Sequence, residues 1–209
     1  MTFNKIIRWL LYATLTFFIL VMLRIIVRYV GLETDVGFLR IKQQYLSNTF
    51  WLTCFYIHSF TAVLSLFAGF TQFSTKLRRE HLKWHRSFGK LYTYNVLILG
   101  APSGLVLGIY ANGHLPSKIG FSILAVLWFW FTLHGIAKIK NGNVKAHEAF
   151  MIRSYALALS AITLRLWKLG LAHTFEPNPM DLYQIVTWLG FVPNLLVAEI
   201  IIFRRKLKT

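Results

Sequence analysis

The sequence predicts an all-α membrane protein, a bundle of about six transmembrane helices, and three observations carry that reading. The chain is 56% hydrophobic and only 14% charged over 209 residues, with a mean hydropathy of +0.54, whereas soluble domains carry about a quarter charged residues. Its apolar residues fall in six stretches, each able to cross about 30 Å of hydrocarbon as a helix. Charged residues and turn formers collect between them. A transmembrane β-barrel is excluded, because its strands alternate apolar and polar residues. The length suits one polytopic domain over residues 1–209.

The first expected span, residues 6–29, starts at Lys5 and Arg8 like a signal peptide but lacks a small-residue cleavage site. It reads as an uncleaved anchor whose Arg24 and Arg28 snorkel to the far interface. A polar connector at 31–48 leads to the second span, 49–70. The run at 77–92, LRREHLKWHRSFGKLY, forms a basic hairpin before the third span, 90–110, in which Pro102 is a natural kink point. Asn112-Gly113 and Pro116 mark a short turn before the fourth span, 119–139. Asn141-Gly142-Asn143 separates that span from the fifth, 146–169. A loop with Pro177 and Pro179 precedes the last, 182–203, and a basic tail follows.

With six spans both termini lie on one side. That side collects sixteen of the 23 Lys and Arg, against seven on the other, where Glu33, Asp35, Glu176 and Asp181 also fall. The positive-inside rule puts the termini, the basic hairpin and the Asn141 turn in the cytoplasm. Topology therefore accounts for most of the +16 formal charge, and nucleic acid is not implied as a partner. The single cysteine, Cys54, lies in an apolar span with no cation nearby and reads as an inert core thiol. No serine-nucleophile, phosphate-loop or dinucleotide fingerprint occurs.

Four of the seven histidines, His81, His85, His134 and His147, fall at the cytoplasmic ends of the spans, while His58 lies near mid-bilayer. At about 100° per residue, His147 shares a face with Ser154, Ala158, Ala161 and Arg165. His85 shares one with Gly89, Tyr92 and Val96, and His58 one with Ala62, Ser65, Gly69 and Gln72. Such stripes suit close helix packing or a slot for a flat or metal-bearing cofactor between the third and fifth helices. His81 and His85 stand four apart, a metal-binding spacing on a helix, and with His134 and His147 they form a candidate zinc or copper set. The His-Glu-x-x-His pattern is absent, since Glu80 precedes His81. His58 and Arg153 are ionisable groups at membrane depth, where a lone charge costs several kcal/mol; Arg165 lies near the outer boundary.

His58, Gln72-Phe73, Leu77-Arg78, His85-Arg86, Gly89 and Tyr92, with Gly120-Phe121, Trp128, His147, the run 151–156 and Thr163-Leu164-Arg165, resemble the prokaryotic predicted-membrane-protein family DUF2306. The blocks HRSFGKLY and HEAFMIRSYA carry the likeness over the second to fifth helices. The resemblance implies fold and location but no activity. The histidine layout is also similar to that of transmembrane cytochromes b, which place histidine pairs at matched depth near each membrane face. That likeness implies an inner pair, His85 and His147, and one haem b; no outer pair matches. Three functions follow as expectations. The first is a redox or metal-cofactor protein, with His85 and His147 as ligands, His58, Arg153, Arg165 and Tyr92 as polar partners, and a quinone or membrane redox protein as the other party. The second is a cofactor-free transporter or lipid- or quinone-binding protein, and the third a structural partner subunit.

Overall fold

The computed structural model describes residues 3–207 and separates into two compact units, Met1–Leu52 and Thr53–Thr209. The first holds helix α1 (Phe3–Val27), a 3-10 segment (Gly37–Tyr45) and the start of α2 (Thr49–Gln72). The connector is ordered by its own polar groups. The Phe38 N–H donates to the Tyr29 hydroxyl at 2.9 Å, and the Gln43 amide donates to the Thr34 carbonyl at 2.9 Å. Lys42 lies over the Tyr45 ring at 4.9 Å and is 1% exposed. Asn48 starts α2 by accepting the Trp51 N–H at 3.0 Å, the N-cap role that a short amide side chain favours.

The second unit continues α2 and adds α3 (Thr75–Glu80), α4 (Leu82–Tyr94), a π-helical turn (Asn95–Gly100), α5 (Ala101–Ile109), α6 (His114–Lys140), α7 (Val144–Ala158), α8 (Ser160–Phe175), α9 (Pro179–Leu189) and α10 (Val192–Lys206). Taken end to end these give five helices long and apolar enough to span a membrane, Thr49–Gln72, Leu82–Ile109, His114–Lys140, Val144–Phe175 and Pro179–Lys206; Tyr12–Val27 is a shorter apolar helix. The six-helix expectation holds. Large side chains such as Ile98, Val126, Trp130 and Leu196 point outward, a surface suited to lipid rather than water.

Two boundaries move. The third helix begins at Leu82, not near residue 90, so His85 and Arg86 are helical and the hairpin contracts to α3 and its flanks. An amphipathic first turn at an interface keeps its cations wet while extending the helix, so charge alone does not end it. The fourth helix begins at His114, directly after Gly113 in a left-handed conformation (φ +83°).

Three spans are interrupted among the described residues, two of them beside a proline. Pro102 has no N–H, and the π turn immediately precedes it. The fifth span breaks at Leu159, and the sixth at Gly190–Phe191 ahead of Pro193. A backbone carbonyl freed within hydrocarbon needs a new donor. Asn194 supplies it: its amide reaches the carbonyls of Ala156 and Gly190, each at 3.1 Å, and the Thr163 hydroxyl at 3.0 Å. Thr163 itself donates to Gly190 at 2.5 Å. The two breaks are thus stitched together where α7 meets α10 and α8 meets α9.

Candidate functional site

The centre of the second unit is polar and closed. Tyr92 on α4, Trp128 and Thr132 on α6, and Ser154 on α7 are all buried. The Trp128 indole donates to the Tyr92 hydroxyl at 3.2 Å, Tyr92 lies 2.7 Å from Ser154, Ser154 lies 2.7 Å from Thr132, and Thr132 donates to the Trp128 carbonyl at 2.7 Å. A carbonyl only accepts, so the Thr132 proton is committed to it. Ser154 must then donate to Thr132, and Tyr92 to Ser154. The chain begins and ends on Trp128, with every proton assigned by elimination.

Beside it, Tyr155 packs on α2. A Cβ on Gly69 would lie 2.4 Å from the Tyr155 ring and 3.0 Å from that of Tyr92, and the Tyr155 hydroxyl donates to the Leu66 carbonyl at 3.1 Å. The small-residue stripe of the second helix is therefore filled at this level by two tyrosine rings. Farther along α2, Asn95 of the π turn donates to the Thr61 carbonyl (2.6 Å) and to Ser65 (2.7 Å). The His58 Nδ1 donates to the Gly100 carbonyl at 2.9 Å, its ring lying against Gly104. His58 thus clamps α2 to the interrupted helix.

His85 and His147 are related through the tyrosine centre. His85 precedes Tyr92 by seven residues on α4, and His147 precedes Ser154 by seven on α7. Seven residues are two turns, about 10.5 Å of rise with only about 20° of drift. Both imidazoles therefore leave from the faces that meet at the Tyr92–Ser154 bond, two turns closer to the basic end. They lie within electrostatic range of each other, as do Arg78 and Arg86 of His85. The His147 Nδ1 donates to the Gly135 carbonyl at 2.8 Å, which leaves Nε2 as the ring's lone-pair nitrogen. The His85 Nδ1 is buried with no hydrogen-bond partner among the described residues.

The other candidates part from this pair. His81 is the N-cap of α4, with non-helical backbone (φ −133°, ψ 57°), and its carbonyl accepts the His85 N–H at 3.1 Å, so it stands at the start of the helix that carries His85. The His134 Nδ1 donates to its own helix at the Trp130 carbonyl, 2.9 Å away, and its ring stacks at 4.1 Å on Trp130. Among the described residues no three His, Cys, Asp or Glu side chains gather as a metal ion would require. Arg153 forms a two-pronged bond to Glu199 on α10, 2.5 Å from Nε and 2.7 Å from Nη2, and lies over the rings of Phe131 and Phe150. Arg165 donates back to the Ala161 carbonyl at 2.5 Å. Glu199 was not foreseen, although it is the single acid between residues 182 and 203, and an acid at that depth calls for a cation. Thr132, Asn95 and Asn194 carried no comparable signal, and Trp128 stood out only among the residues of the family resemblance.

The fold and this interior define a polytopic α-helical membrane protein. The family model described as "Predicted membrane protein (DUF2306)" matches residues 55–202, and the chain belongs to that family. No curated protein and no solved structure matches it.

Proposed function

We propose that the protein binds one haem b between α4 and α7 at its basic end and works as a one-electron carrier in the bacterial inner membrane. The observation that carries this reading is the register of His85 and His147, each two turns out from the same interhelical bond. The donor set favours a macrocycle over a bare ion. Structural and catalytic zinc or copper sites draw three or four ligands from the protein, whereas haem brings four ring nitrogens and asks only for axial donors. Two imidazoles suffice for the second and not for the first.

The chain's own groups fit that role. The Gly135 carbonyl fixes the tautomer of His147, so that Nε2 is the ligating atom, and the partnerless Nδ1 of His85 gives that ring a reason to turn toward a group it can bind. Arg78 and Arg86 offer guanidinium to the propionate carboxylates. The tyrosine cluster confines the group to the histidine level, because Tyr92 and Ser154 touch two turns farther in. When bound, the haem supplies reversible one-electron chemistry through its iron. The electron partner would be a quinone or another membrane redox protein.

Protein purified from haem-replete cells should show a Soret band that is lost in both His85→Ala and His147→Ala and retained in His134→Ala. A colourless preparation would overturn the proposal.

A further inference from the structure

In the half of the second unit away from the basic end, three helices bring a second polar group of side chains together. His58 comes from α2, Arg165 from α8 and Tyr183 from α9, and Arg165 lies within electrostatic range of both others. Helix α5 links them through two glycines one turn apart. A Cβ on Gly104 would lie 2.9 Å from the His58 ring, and one on Gly108 would lie 3.1 Å from the α6 backbone at Phe121. The Phe121 ring in turn meets Tyr183 edge-on at 5.8 Å. Two polar atoms are left over. The Gly100 carbonyl only accepts, so the His58 Nδ1 carries the ring proton and Nε2 keeps its lone pair, with no hydrogen bond among the described residues. The Tyr183 hydroxyl likewise has no hydrogen bond among them. Both residues are half-buried, and Leu166 and Ile185 beside Arg165 and Tyr183 are exposed where lipid lies.

Depth and chemistry narrow the ligand. His58 follows the first residue of α2, Thr49, by nine positions, about 14 Å of rise. A phosphate head group stays at the interface, so a ligand that reaches His58 is a largely apolar molecule living within the hydrocarbon. The His58 lone pair calls for a hydroxyl donor, and the Tyr183 hydroxyl, which both donates and accepts, calls for a second oxygen. A hydroquinone ring carries a hydroxyl at each end and an isoprenoid tail that remains in lipid. We infer that His58 and Tyr183 form a binding site for the ring of a membrane quinol, one ring hydroxyl donating to the His58 Nε2 and the other bonding the Tyr183 hydroxyl. The choice of a redox-active ring over another hydroxyl-bearing amphiphile rests on the electron-carrier reading proposed above. The two residues themselves take no part in ligating the haem, so binding here is measurable whether or not haem is present.

The test is equilibrium binding of tritiated decylubiquinol to the full chain in detergent, with dithionite holding the quinol and any haem reduced. Unlabelled decylubiquinol, its dimethyl ether and farnesol serve as competitors. The variant is Tyr183→Phe, which keeps the ring against Phe121 and removes only the hydroxyl. The control is Tyr94→Phe on α4, a 57% exposed tyrosine outside the site. Unchanged unfolding temperatures would confirm intact folds. The wild type should saturate at one quinol per chain. Loss of one neutral hydrogen bond corresponds to about fivefold in affinity, so Tyr183→Phe should bind about fivefold more weakly. The dimethyl ether, which has no hydroxyl to give His58, should compete at least about fivefold less well than the quinol. Tyr94→Phe should stay within about twofold of wild type, less than one hydrogen bond's worth. The inference is overturned if no saturable binding is seen, if Tyr183→Phe binds like wild type, or if Tyr94→Phe loses as much. Displacement by the dimethyl ether or by farnesol as readily as by the quinol would overturn it too. A coloured protein that binds no quinol refutes this site alone, whereas a colourless one that binds it refutes only the haem.

Discussion

The hydrogen-bonded loop through Trp128, Tyr92, Ser154 and Thr132 makes a quantitative claim about coupling. Tyr92→Phe keeps the ring but removes the oxygen, which strands the Trp128 indole N–H and takes away the donor to Ser154. A buried donor left alone costs about 1–3 kcal/mol, and one net hydrogen bond is worth about 1. Transmembrane hydrogen bonds run smaller, averaging about 0.6 kcal/mol with a maximum near 1.7, so a loss of about 2 kcal/mol is expected. Ser154→Ala strands the Tyr92 proton and deprives Thr132 of its donor, at a similar cost. The double variant removes the shared bond only once, so its loss should fall short of the sum by about 0.6–1.5 kcal/mol. Reversible unfolding in mixed detergent micelles, followed by circular dichroism, measures each term. Tyr92→Phe combined with Asn194→Ala, which lies in the separate stitch between α7–α8 and α9–α10, should be additive. Additivity of the Tyr92 and Ser154 changes to within about 0.3 kcal/mol would refute the loop as drawn.

Gly69→Ala places a methyl group 2.4 Å from the Tyr155 ring and should destabilise by about 1–3 kcal/mol in the same assay. Gly170→Ala meets nothing within 4 Å on α8 and should be neutral or stabilising by up to about 1 kcal/mol through helix propensity. Arg153→Gln and Glu199→Gln should each cost about 1–2 kcal/mol, since the Arg153 side chain is 20% exposed and Glu199 is 52% exposed, which moderates the burial penalty. The double variant should recover part of that loss, and a double-mutant cycle reading zero coupling would show the pair to be incidental.

Much of the candidate site was legible as helical phase. The spacing that aligned His85 with Tyr92 and His147 with Ser154 is periodicity, and the structure brings those two faces together at the Tyr92–Ser154 bond. What filled the stripes was not legible. Gly69 shares a face with His58 in the sequence, but only packing brings Tyr155, 86 positions later, against it. Arg153 was visible as an intramembrane charge, while Glu199 lies 46 residues away on a helix whose rotation no local pattern fixes. His81 stands at the N-cap of α4, where the backbone turns, and spacing by four does not tell where a helix starts.

By itself the sequence determined that this chain crosses a membrane on about six helices, since hydrocarbon thickness sets a length that continuous apolar runs either meet or do not. It also determined which residues share a helix face, because the helical repeat is local and nearly invariant. Tertiary structure alone decided which faces meet, what fills the small-residue stripes, and which ionisable groups pair. Those choices depend on helix rotation and on breaks such as those at Asn95–Gly100, Leu159 and Gly190. They are settled by side chains distant in sequence that must satisfy one another where water cannot reach.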